Sequence, residues 1–370
     1  MMETFPGKVG LVQRVLPSYR VPFFNGLGQA CKGGLALFAG EPRPAEMIHT
    51  ADQLDKASLT TGKNIHLFNG QFYLCIQVGL IKWLQDIDPQ VLIMEANPRY
   101  LRSAKAIHWM HKRNRPVVGW GLGAPPLKGG TIAKLRNNQR ENFIDRFDAL
   151  ITYSQNGAQE YNRLGFPEDR IFVAVNAVTP PPPHPLPLRE EPAPGGNSRI
   201  LFVGRLQARK NIENLIKACA DLKTSIRPDL VIVGDGPSKE SLSDLASQIY
   251  PQTIFTGALY GELLADQFRR ADLFVLPGTG GLAIQQAMSY GLPVIAAEAD
   301  GTQQDLVRPT NGWQIPSNHI PALRSTLEKA LSNPQRLRQM GAESYRIVAQ
   351  EINLDQMISV FIKALNRSLL

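Results

Sequence analysis

Two basic side chains, Arg205 and Lys210, lie five positions apart in the segment VGRLQARKN. The apolar run before them predicts a buried strand that ends at Gly204, and the pattern after them predicts a helix that begins near Asn211. Open sheets of parallel strands bind ligands beside the carboxyl ends of their strands. Two cations at that edge can neutralise a diphosphate that leaves when a bond to it breaks. A solvated basic loop is the alternative interpretation of this pair.

A second segment, LPGTGGLAIQQAMSYGLPVIAA at 276–297, runs from a buried strand through three glycines into a helical pattern. Glycines at this junction allow the backbone N–H groups of Gly280, Gly281 and Leu282 to approach phosphate oxygens. The start of the helix adds a partial positive charge. Glycines that only permit a tight strand-to-helix turn are the alternative.

The first half of the chain offers fewer polar candidates. Glu95 ends the apolar run PQVLIMEA, where a carboxylate can bind a second substrate or cap the next helix. His108 and His111 lie three positions apart on a basic helical segment. A metal or catalytic role can be imagined for them, but such histidines are more often surface residues.

The elements that must position these residues alternate between short apolar strands and helical patterns, as in βαβ units around parallel sheets. Strands are predicted for VGLVQRVL, PQVLIMEA, RPVVGWG, ALITYS and RIFVAVNA, and then for RILFVG, DLVIVGDG, TIFTG, DLFVLPG and LPVIAA. The prolines of 178–198 predict an extended linker, with a long loop inside one domain as the alternative. We therefore predict domains at 1–178 and 199–354, joined by a linker at 179–198.

The second half resembles the donor-binding domain of glycosyltransferase family 4. Its motifs occur in order: VGRL with a lysine five positions after the arginine, VIVGDGP, FTGAL, ADLFVLPG, and the glycine-rich series that follows. The resemblance implies an α/β GT-B fold, with two Rossmann-like, doubly wound parallel-sheet domains facing a central cleft. It also implies that Arg205 and Lys210 bind the donor diphosphate, that the backbone around Gly281 and Leu282 supports phosphates and sugar, and that Gln286 holds the ribose.

One departure from that family concerns two glutamates that are usually eight positions apart across the glycine turn. Here these positions are Gly278 and Gln286. The Gln286 amide can still bond ribose hydroxyls because it offers both a donor and an acceptor. Gly278 offers no carboxylate to the transferred sugar. We expect that contact to come from Asp305 or from backbone groups, or else catalysis to be weakened.

The first half resembles a bacterial polysaccharide-type branch of the same family, through LPSYRVPFFNGL at 16–27 and the stretch 94–123. The turn that contains Trp120 stands where relatives often carry an active-site histidine. The resemblance also implies that the final helical segment, 355–370, crosses back onto the first domain. The residues proposed for the acceptor side are Glu95, Tyr19, Arg20, Trp120 and Gly121.

Positive charge is concentrated in the first half of the chain. Residues 1–178 contain 21 Lys and Arg against 14 Asp and Glu, whereas residues 179–370 contain 19 against 18. Between positions 97 and 146 there are 11 basic and 2 acidic residues, interleaved with aromatic side chains. This composition suits peripheral contact with an anionic membrane, with a solvated helix face as the alternative. Nucleic acid is not expected as a partner, because no binding motif accompanies the charge.

The sequence also indicates the cellular compartment in which we expect the protein. No apolar run of about 18 residues predicts a membrane span, and the first residues lack the pattern of a secretion signal. We expect a cytoplasmic protein, with peripheral contact at the inner face of the membrane. The three cysteines are far apart and odd in number, which favours reduced thiols over a disulfide framework or metal cluster.

These observations predict a retaining, metal-independent glycosyltransferase that moves a hexose-type sugar from a nucleotide diphosphate sugar to an acceptor hydroxyl. The acceptor is expected to be a saccharide or lipid-linked molecule of cell-envelope or capsule synthesis, and no cofactor is expected. A sugar-nucleotide epimerase or a phosphorylase is the competing enzyme class. The non-enzymatic alternative is a GT-B-shaped binding module with little or no turnover, which the missing glutamates motivate.

Overall fold

The computed structural model of the chain forms two compact units, Met1–Val178 together with Leu354–Leu370, and Thr179–Asn353. We call them unit 1 and unit 2. Most of the predicted linker lies outside the described residues, but Thr179, which was assigned to it, belongs to unit 2. The structure describes residues 3–46, 48–127, 129–183, 186, 197–223 and 227–369.

Unit 1 is built on an eight-stranded sheet in the order β4-β3-β2-β1-β5-β6-β7-β8, parallel except for the antiparallel pair β3 and β4. Its strands are β1 Val9–Val15, β2 Leu35–Gly40, β3 Ser58–Leu67, β4 Leu74–Val78, β5 Val91–Glu95, β6 Val117–Gly121, β7 Ala149–Thr152 and β8 Ile171–Val173. Its helices are α1 Val21–Ala30, α2 Leu80–Ile87, α3 Ser103–His111, α4 Thr131–Ile144 and α5 Gln155–Arg163.

Two apolar cores lie on opposite faces of this sheet. Neighbouring residues of one strand alternate between them, as the pleat requires: Leu11 belongs to one core and Val12 to the other. The first core receives side chains from α1, whereas the second receives side chains from α2 to α5. A sheet covered on both faces in this way leaves the ends of its strands as the place for polar chemistry.

Unit 2 contains a six-stranded parallel sheet in the order β11-β10-β9-β12-β13-β14. Its strands are β9 Arg199–Val203, β10 Asp229–Val233, β11 Ile254–Gly257, β12 Leu273–Leu276, β13 Val294–Ala297 and β14 Gly312–Ile315. Its helices are α6 Ile212–Ala220, α7 Lys239–Ile249, α8 Gly261–Arg270, α9 Leu282–Ser289, α10 Thr302–Leu306, α11 Ile320–Leu331 and α12 Pro334–Gln350. All residues of β12 and β13 are buried, as continuous apolar runs predict.

The last helix, α13 Leu354–Ser368, packs on the α1 side of the unit 1 sheet. Its buried residues recur at helical spacing and form one apolar stripe. Phe361 lies at the centre, with its ring centroid 4.9 Å from those of both Phe23 and Trp120. None of the helices in the described part of the chain is long and apolar enough to cross a membrane.

Candidate functional site

The loop after β9 and the turn after β12 lie side by side, because β9 and β12 are hydrogen-bonded neighbours in the parallel sheet of unit 2. The β9 loop contains Arg205 and a 3-10 turn at Ala208–Lys210. The β12 turn contains the three glycines and leads into α9. Both segments therefore occupy the carboxyl edge of the sheet, where ligands of such folds bind.

Lys210 connects the two segments. Its Nζ donates a hydrogen bond to the carbonyl oxygen of Thr279 at 2.5 Å. Two further hydrogen bonds support this position: Thr279 N donates to Arg209 O at 3.1 Å between the backbones, and Arg209 Nη1 donates to Thr279 Oγ1 at 3.2 Å between the side chains. The structure thus places the predicted diphosphate lysine directly at the predicted glycine turn.

Two of the glycines make this approach possible. A Cβ at Gly278 would lie 2.4 Å from Arg209 O and 2.6 Å from Lys210 C. A Cβ at Gly280 would lie 2.7 Å from Lys210 Nζ, and Gly280 has a φ of +140°. Contacts that short do not occur for a real Cβ, so any side chain at position 278 would displace the loop.

Lys210 is an ammonium whose charge is poorly stabilised. Burial, and to a smaller extent the positive charge of the nearby Arg209, lowers its pKa to about 8, although the carboxylate of Asp300 opposes the shift. A bound anion would restore the protonated form. A lysine with a strongly lowered pKa at the carboxyl edge of a parallel sheet is a candidate for a functional residue.

Arg205 follows Gly204 immediately at the carboxyl end of β9 and is half-buried. The contacts that join its loop to the glycine turn come from Arg209, Lys210 and Asn211, whose Nδ2 donates to Pro277 O at 3.3 Å. The structure therefore brings Lys210 to the turn, and it places Arg205 on the same loop and at the same edge of the sheet.

The start of α9 is held from the side by α10. Gln303 is fully buried and its Nε2 donates to Gly280 O at 2.6 Å, and Thr302 Oγ1 would lie 3.0 Å from a Cβ at Gly281. Leu282 is the first residue of α9, and Gln286 lies half-buried one turn later. Asp305, the carboxylate expected to reach the sugar, is half-buried on the same helix, α10, whose Leu306 also lies near the turn, 3.6 Å from a Cβ at Gly281.

Asp300 is a carboxylate that the sequence did not single out. It follows β13, the strand next to β12, and its side chain is exposed. Its Oδ1 accepts hydrogen bonds from Thr302 Oγ1 at 2.6 Å and Thr302 N at 3.2 Å. Its negative charge raises the pKa of Lys210, so Asp300 lies in the neighbourhood of that side chain.

In unit 1, the Glu95 carboxyl group is engaged within the protein. Its Oε1 accepts from Arg14 N at 2.7 Å, and its Oε2 accepts from the Tyr100 hydroxyl at 2.9 Å. Burial raises the pKa of Glu95, although both hydrogen bonds oppose the shift. Arg14 lies at an irregularity in the pairing of β1 with β2 and forms an ion pair with Glu46 at 2.8 Å. Glu95 thus fixes the end of β1 rather than capping α3.

The other acceptor-side candidates are a group of aromatic and arginine side chains and a glycine, Gly121, that packs against Tyr161. Arg20 is 7% exposed and is surrounded by aromatic rings that include Trp120, whereas Tyr19 beside it is 52% exposed. Gly121 has a packing role, because a Cβ there would lie 2.4 Å from the Tyr161 hydroxyl.

The two histidines of the basic helix lie at the surface. His111 pairs with Asp148 at 2.9 Å, and His108 is exposed, which agrees with the interpretation of both as surface residues.

Comparison with known proteins gives the wider context of this geometry. Residues 188–347 match the family described as Glycosyl transferases group 1. A D-inositol 3-phosphate glycosyltransferase of Gordonia bronchialis is 28% identical over 269 residues, which cover 66% of this chain and 58% of the relative. A GDP-mannose-dependent alpha-mannosyltransferase of Corynebacterium glutamicum is 41% identical over 129 residues, which cover 34% of this chain and 29% of the relative. The chain therefore spans less than two thirds of the length of these relatives.

Solved structures match almost the whole chain. HepE of Anabaena in complex with UDP superposes with a TM-score of 0.71 at 15% identity, covering 97% of this chain and 99% of that one. The lipopolysaccharide outer core galactosyltransferase WaaB superposes with a TM-score of 0.65 at 16% identity, covering 98% of this chain and 99% of that one. These likenesses confirm the predicted GT-B fold, in which each unit is a Rossmann-like α/β domain.

Proposed function

We propose that the chain is a glycosyltransferase that binds a nucleotide diphosphate sugar in unit 2 and transfers the sugar to an acceptor hydroxyl. The observation that carries this proposal is the position of Lys210, a half-buried residue whose ammonium group lies against the glycine turn at the start of α9. The match of 188–347 to the group 1 glycosyl transferases supports it, since that segment contains both halves of the site.

The chemistry assigned to the site is stabilisation of a leaving diphosphate. Lys210 and Arg205 supply positive charge, and the N–H groups of Gly280, Gly281 and Leu282 supply hydrogen-bond donors at the start of a helix. Gln286 binds the ribose. We propose transfer with retention, in which the departing phosphate takes the acceptor proton. Neither a metal ion nor a cofactor is assigned a role, because side-chain cations and the helix dipole offset the developing charge.

The contact with the transferred sugar is assigned to Asp300 in place of Asp305. A carboxylate at position 278 would collide with the backbone of Arg209 and Lys210. Asp300 supplies an exposed carboxylate. Thr302 holds it in place through a hydrogen bond, and its charge raises the pKa of Lys210. It can therefore accept hydrogen bonds from sugar hydroxyls beside the diphosphate.

The decisive experiment is a thermal-shift screen of the full chain against UDP, GDP, ADP and dTDP and their sugar conjugates. A ligand of the native state raises the melting temperature by mass action, and one base should stand out. Lys210→Ala is expected to abolish the shift. Lys217→Ala is the matched control, because Lys217 lies on α6 in a surface ion pair with Glu213. If no nucleotide stabilises the chain, the proposal fails.

The acceptor is proposed to be a saccharide or lipid-linked precursor of the cell envelope or capsule, used at the cytoplasmic face of the membrane. Part of the basic 97–146 segment borders exposed apolar side chains. Leu135 is 60% exposed on α4, and Arg136 on the same helix lies over the ring of Phe72, which is 58% exposed. Basic and apolar groups side by side suit peripheral contact with anionic lipid.

A second candidate function is a binding module that holds a nucleotide sugar without turnover. It is favoured by one observation, the lack of room for a carboxylate at Gly278. Release of free nucleoside diphosphate distinguishes the two functions. Binding without release, in the presence of a panel of envelope saccharide acceptors, would favour the module.

A further inference from the structure

A buried arginine without a counter-ion lies at the carboxyl edge of the unit 1 sheet. Arg20 ends a 3-10 turn, Ser18–Arg20, that follows β1, and it is 7% exposed. Within the described part of the chain it forms no ion pair, and its Nη1 is buried without a hydrogen-bond partner. By contrast, Arg14 on β1 pairs with Glu46 at 2.8 Å. A buried guanidinium normally requires such a partner, because desolvation of an unpaired charge is costly.

Aromatic rings form most of the surroundings of Arg20. Its Cζ lies 5.7 Å from the ring centroid of Tyr19, 5.8 Å from that of Trp120 and 5.7 Å from that of Tyr153. Ring faces attract a cation, but they do not accept its N–H hydrogen bonds as an oxygen would. The rings therefore hold the guanidinium in place and leave its Nη1 without an acceptor in the described part of the chain.

A second unused donor lies in the same cluster. Trp120 is 2% exposed, and its buried Nε1 has no hydrogen-bond partner among the residues that the structure describes. Both an indole N–H and a guanidinium can only donate. The missing partner must therefore supply acceptor atoms, and the charge of Arg20 requires that they carry negative charge. Glu95 does not fill this role, because no hydrogen bond or ion pair joins it to Arg20 among the described residues, and its oxygens accept instead from Arg14 N and the Tyr100 hydroxyl.

The position of the cluster agrees with ligand binding. Trp120 lies on β6, Tyr153 follows β7, and Arg20 follows β1, so all three come from the carboxyl ends of parallel strands in one sheet. This is the edge at which open α/β sheets bind ligands. Tyr19, which is 52% exposed, connects the cluster to solvent.

We propose that Arg20 and the Trp120 indole form a subsite for an anionic group, a carboxylate or a phosphate, on the acceptor. The planar guanidinium matches two oxygens of such a group. The inference rests on the proposed function in naming the ligand an acceptor, and it narrows that acceptor to the acidic class: a sugar acid or a phosphate-bearing saccharide or lipid. A neutral acceptor would leave the Arg20 charge uncompensated.

The indole resonances provide a direct test in the full-length protein. In a ¹⁵N-labelled sample, the Trp120 Nε1–H signal is assigned with Trp120→Phe. The protein is then titrated with inorganic phosphate, with D-glucuronate, and with D-glucose in sodium chloride of matched ionic strength. A saturable shift of the Trp120 signal with phosphate or glucuronate is expected, and none with glucose. The phosphate and glucuronate arms distinguish a phosphorylated acceptor from a sugar acid.

Substitution at Arg20 makes the test specific. Arg20→Gln is expected to weaken anion affinity roughly 10- to 100-fold, since a charge-assisted pair is lost. Arg20→Lys keeps the positive charge but lacks the planar, two-pronged guanidinium. Its anion affinity should lie between those of Arg20→Gln and the unmodified protein. Arg113→Gln is the control, because Arg113 stacks on Trp109 at 3.8 Å but is exposed and donates to Trp109 O. It should titrate like the unmodified protein. If Arg20→Gln does not fold, Arg20→Lys and the unmodified protein carry the test.

A Trp120 signal that does not respond to either anion, or that responds equally to glucose, overturns the inference. So does an Arg20→Gln variant that titrates like the unmodified protein. The same samples are titrated with UDP, GDP, ADP and dTDP. Nucleotide binding without an anion response overturns the subsite alone, whereas an anion response without nucleotide binding overturns the proposed glycosyltransferase function alone.

Discussion

The ammonium group of Lys210 carries a proton that the folded protein holds weakly. Burial lowers its pKa from 10.5 to about 8, so the ligand-free protein loses this charge well before an ordinary lysine would. Because the unfolded chain binds more protons between about pH 8 and pH 10.5, the lysine destabilises the fold at neutral pH, and this cost disappears as the pH rises. A bound diphosphate would reverse the shift.

We predict that nucleoside diphosphate affinity is constant below about pH 8 and falls above it, approaching tenfold per pH unit, because only protonated Lys210 binds the anion. Titration calorimetry between pH 7 and 10 measures this. Lys210→Arg should bind without the decline, since arginine stays protonated over that range. Lys217→Arg, a surface substitution, should keep it. An affinity that is independent of pH in the unmodified protein would contradict the role of Lys210.

Asp300 provides a second prediction. Asp300→Asn should leave binding of the free nucleoside diphosphate within a factor of about two, but weaken binding of the sugar conjugate by roughly tenfold, because only the sugar loses a charged hydrogen-bond acceptor. Glu298→Gln, an exposed carboxylate two positions earlier, is the control and should change neither affinity. Equal losses for diphosphate and conjugate would show that Asp300 acts on the phosphates instead.

At the scale of the elements, the β9 loop packs directly against the β12 turn because Gly278 has no side chain to keep them apart. Gly278→Ala should lower the free energy of unfolding by about 1–3 kcal/mol, since the new methyl group must displace the backbone of Arg209 and Lys210. Urea unfolding measures the loss, and nucleotide affinity should fall with it. Gly130→Ala is the control, because nothing lies within 4 Å of a Cβ there.

Helix α13 contributes to the stability of unit 1 through the buried side chains that it packs on the sheet. Phe361→Ala should destabilise the protein by about 3–5 kcal/mol, because the ring is fully buried against Phe23 and Trp120. Lys363→Ala, two positions along on the exposed face, should have little effect. Denaturant unfolding followed by tryptophan fluorescence compares the two variants. Similar midpoints for both would contradict the packing role of α13.

The sequence predicted elements best where strands are buried on both faces. The runs in β9, β10, β12 and β13 are continuous and apolar, and all four form as expected. Strands β2, β3, β4 and β14 were not predicted. The run in β2 is apolar and buried throughout, so this strand was overlooked although its pattern was present. In β3 none of the ten residues is buried, so the apolar run that marks an interior strand is missing. Strands β3 and β4 gain their structure from pairing with each other and, for β3, with β2, which is non-local information.

The same distinction applies to the site. Lys210 and the glycine turn were recognisable because each motif is contiguous in sequence. Asp300 and Gln303 were not, because each lies on another segment, and only the folded chain brings Asp300 near Lys210 and Gln303 into contact with Gly280. Arg20 was proposed from a resemblance, but its missing counter-ion depends on burial and could not be inferred from the sequence.

At the scale of the whole molecule, charge is divided unevenly between the first half of the chain and the rest. We predict that the protein cosediments with vesicles containing anionic lipid but not with neutral phosphatidylcholine vesicles. The bound fraction should fall steeply between about 0.05 and 0.5 M salt as the charges are screened. Arg136→Ala should reduce binding, whereas Arg324→Ala on α11 of unit 2 should not. Binding that is insensitive to salt and to lipid charge would contradict the proposed membrane contact.

The chain path through the two units also sets an order of assembly during translation. Unit 2 is one continuous stretch, Thr179–Asn353, whereas unit 1 is completed by the helix Leu354–Ser368 that follows it. A ribosome therefore releases every residue of unit 2 before the last helix of unit 1 has been made. Until then the apolar surface that Phe361 will cover is open to chaperones, and a premature stop codon before position 354 would damage unit 1 while leaving unit 2 entire.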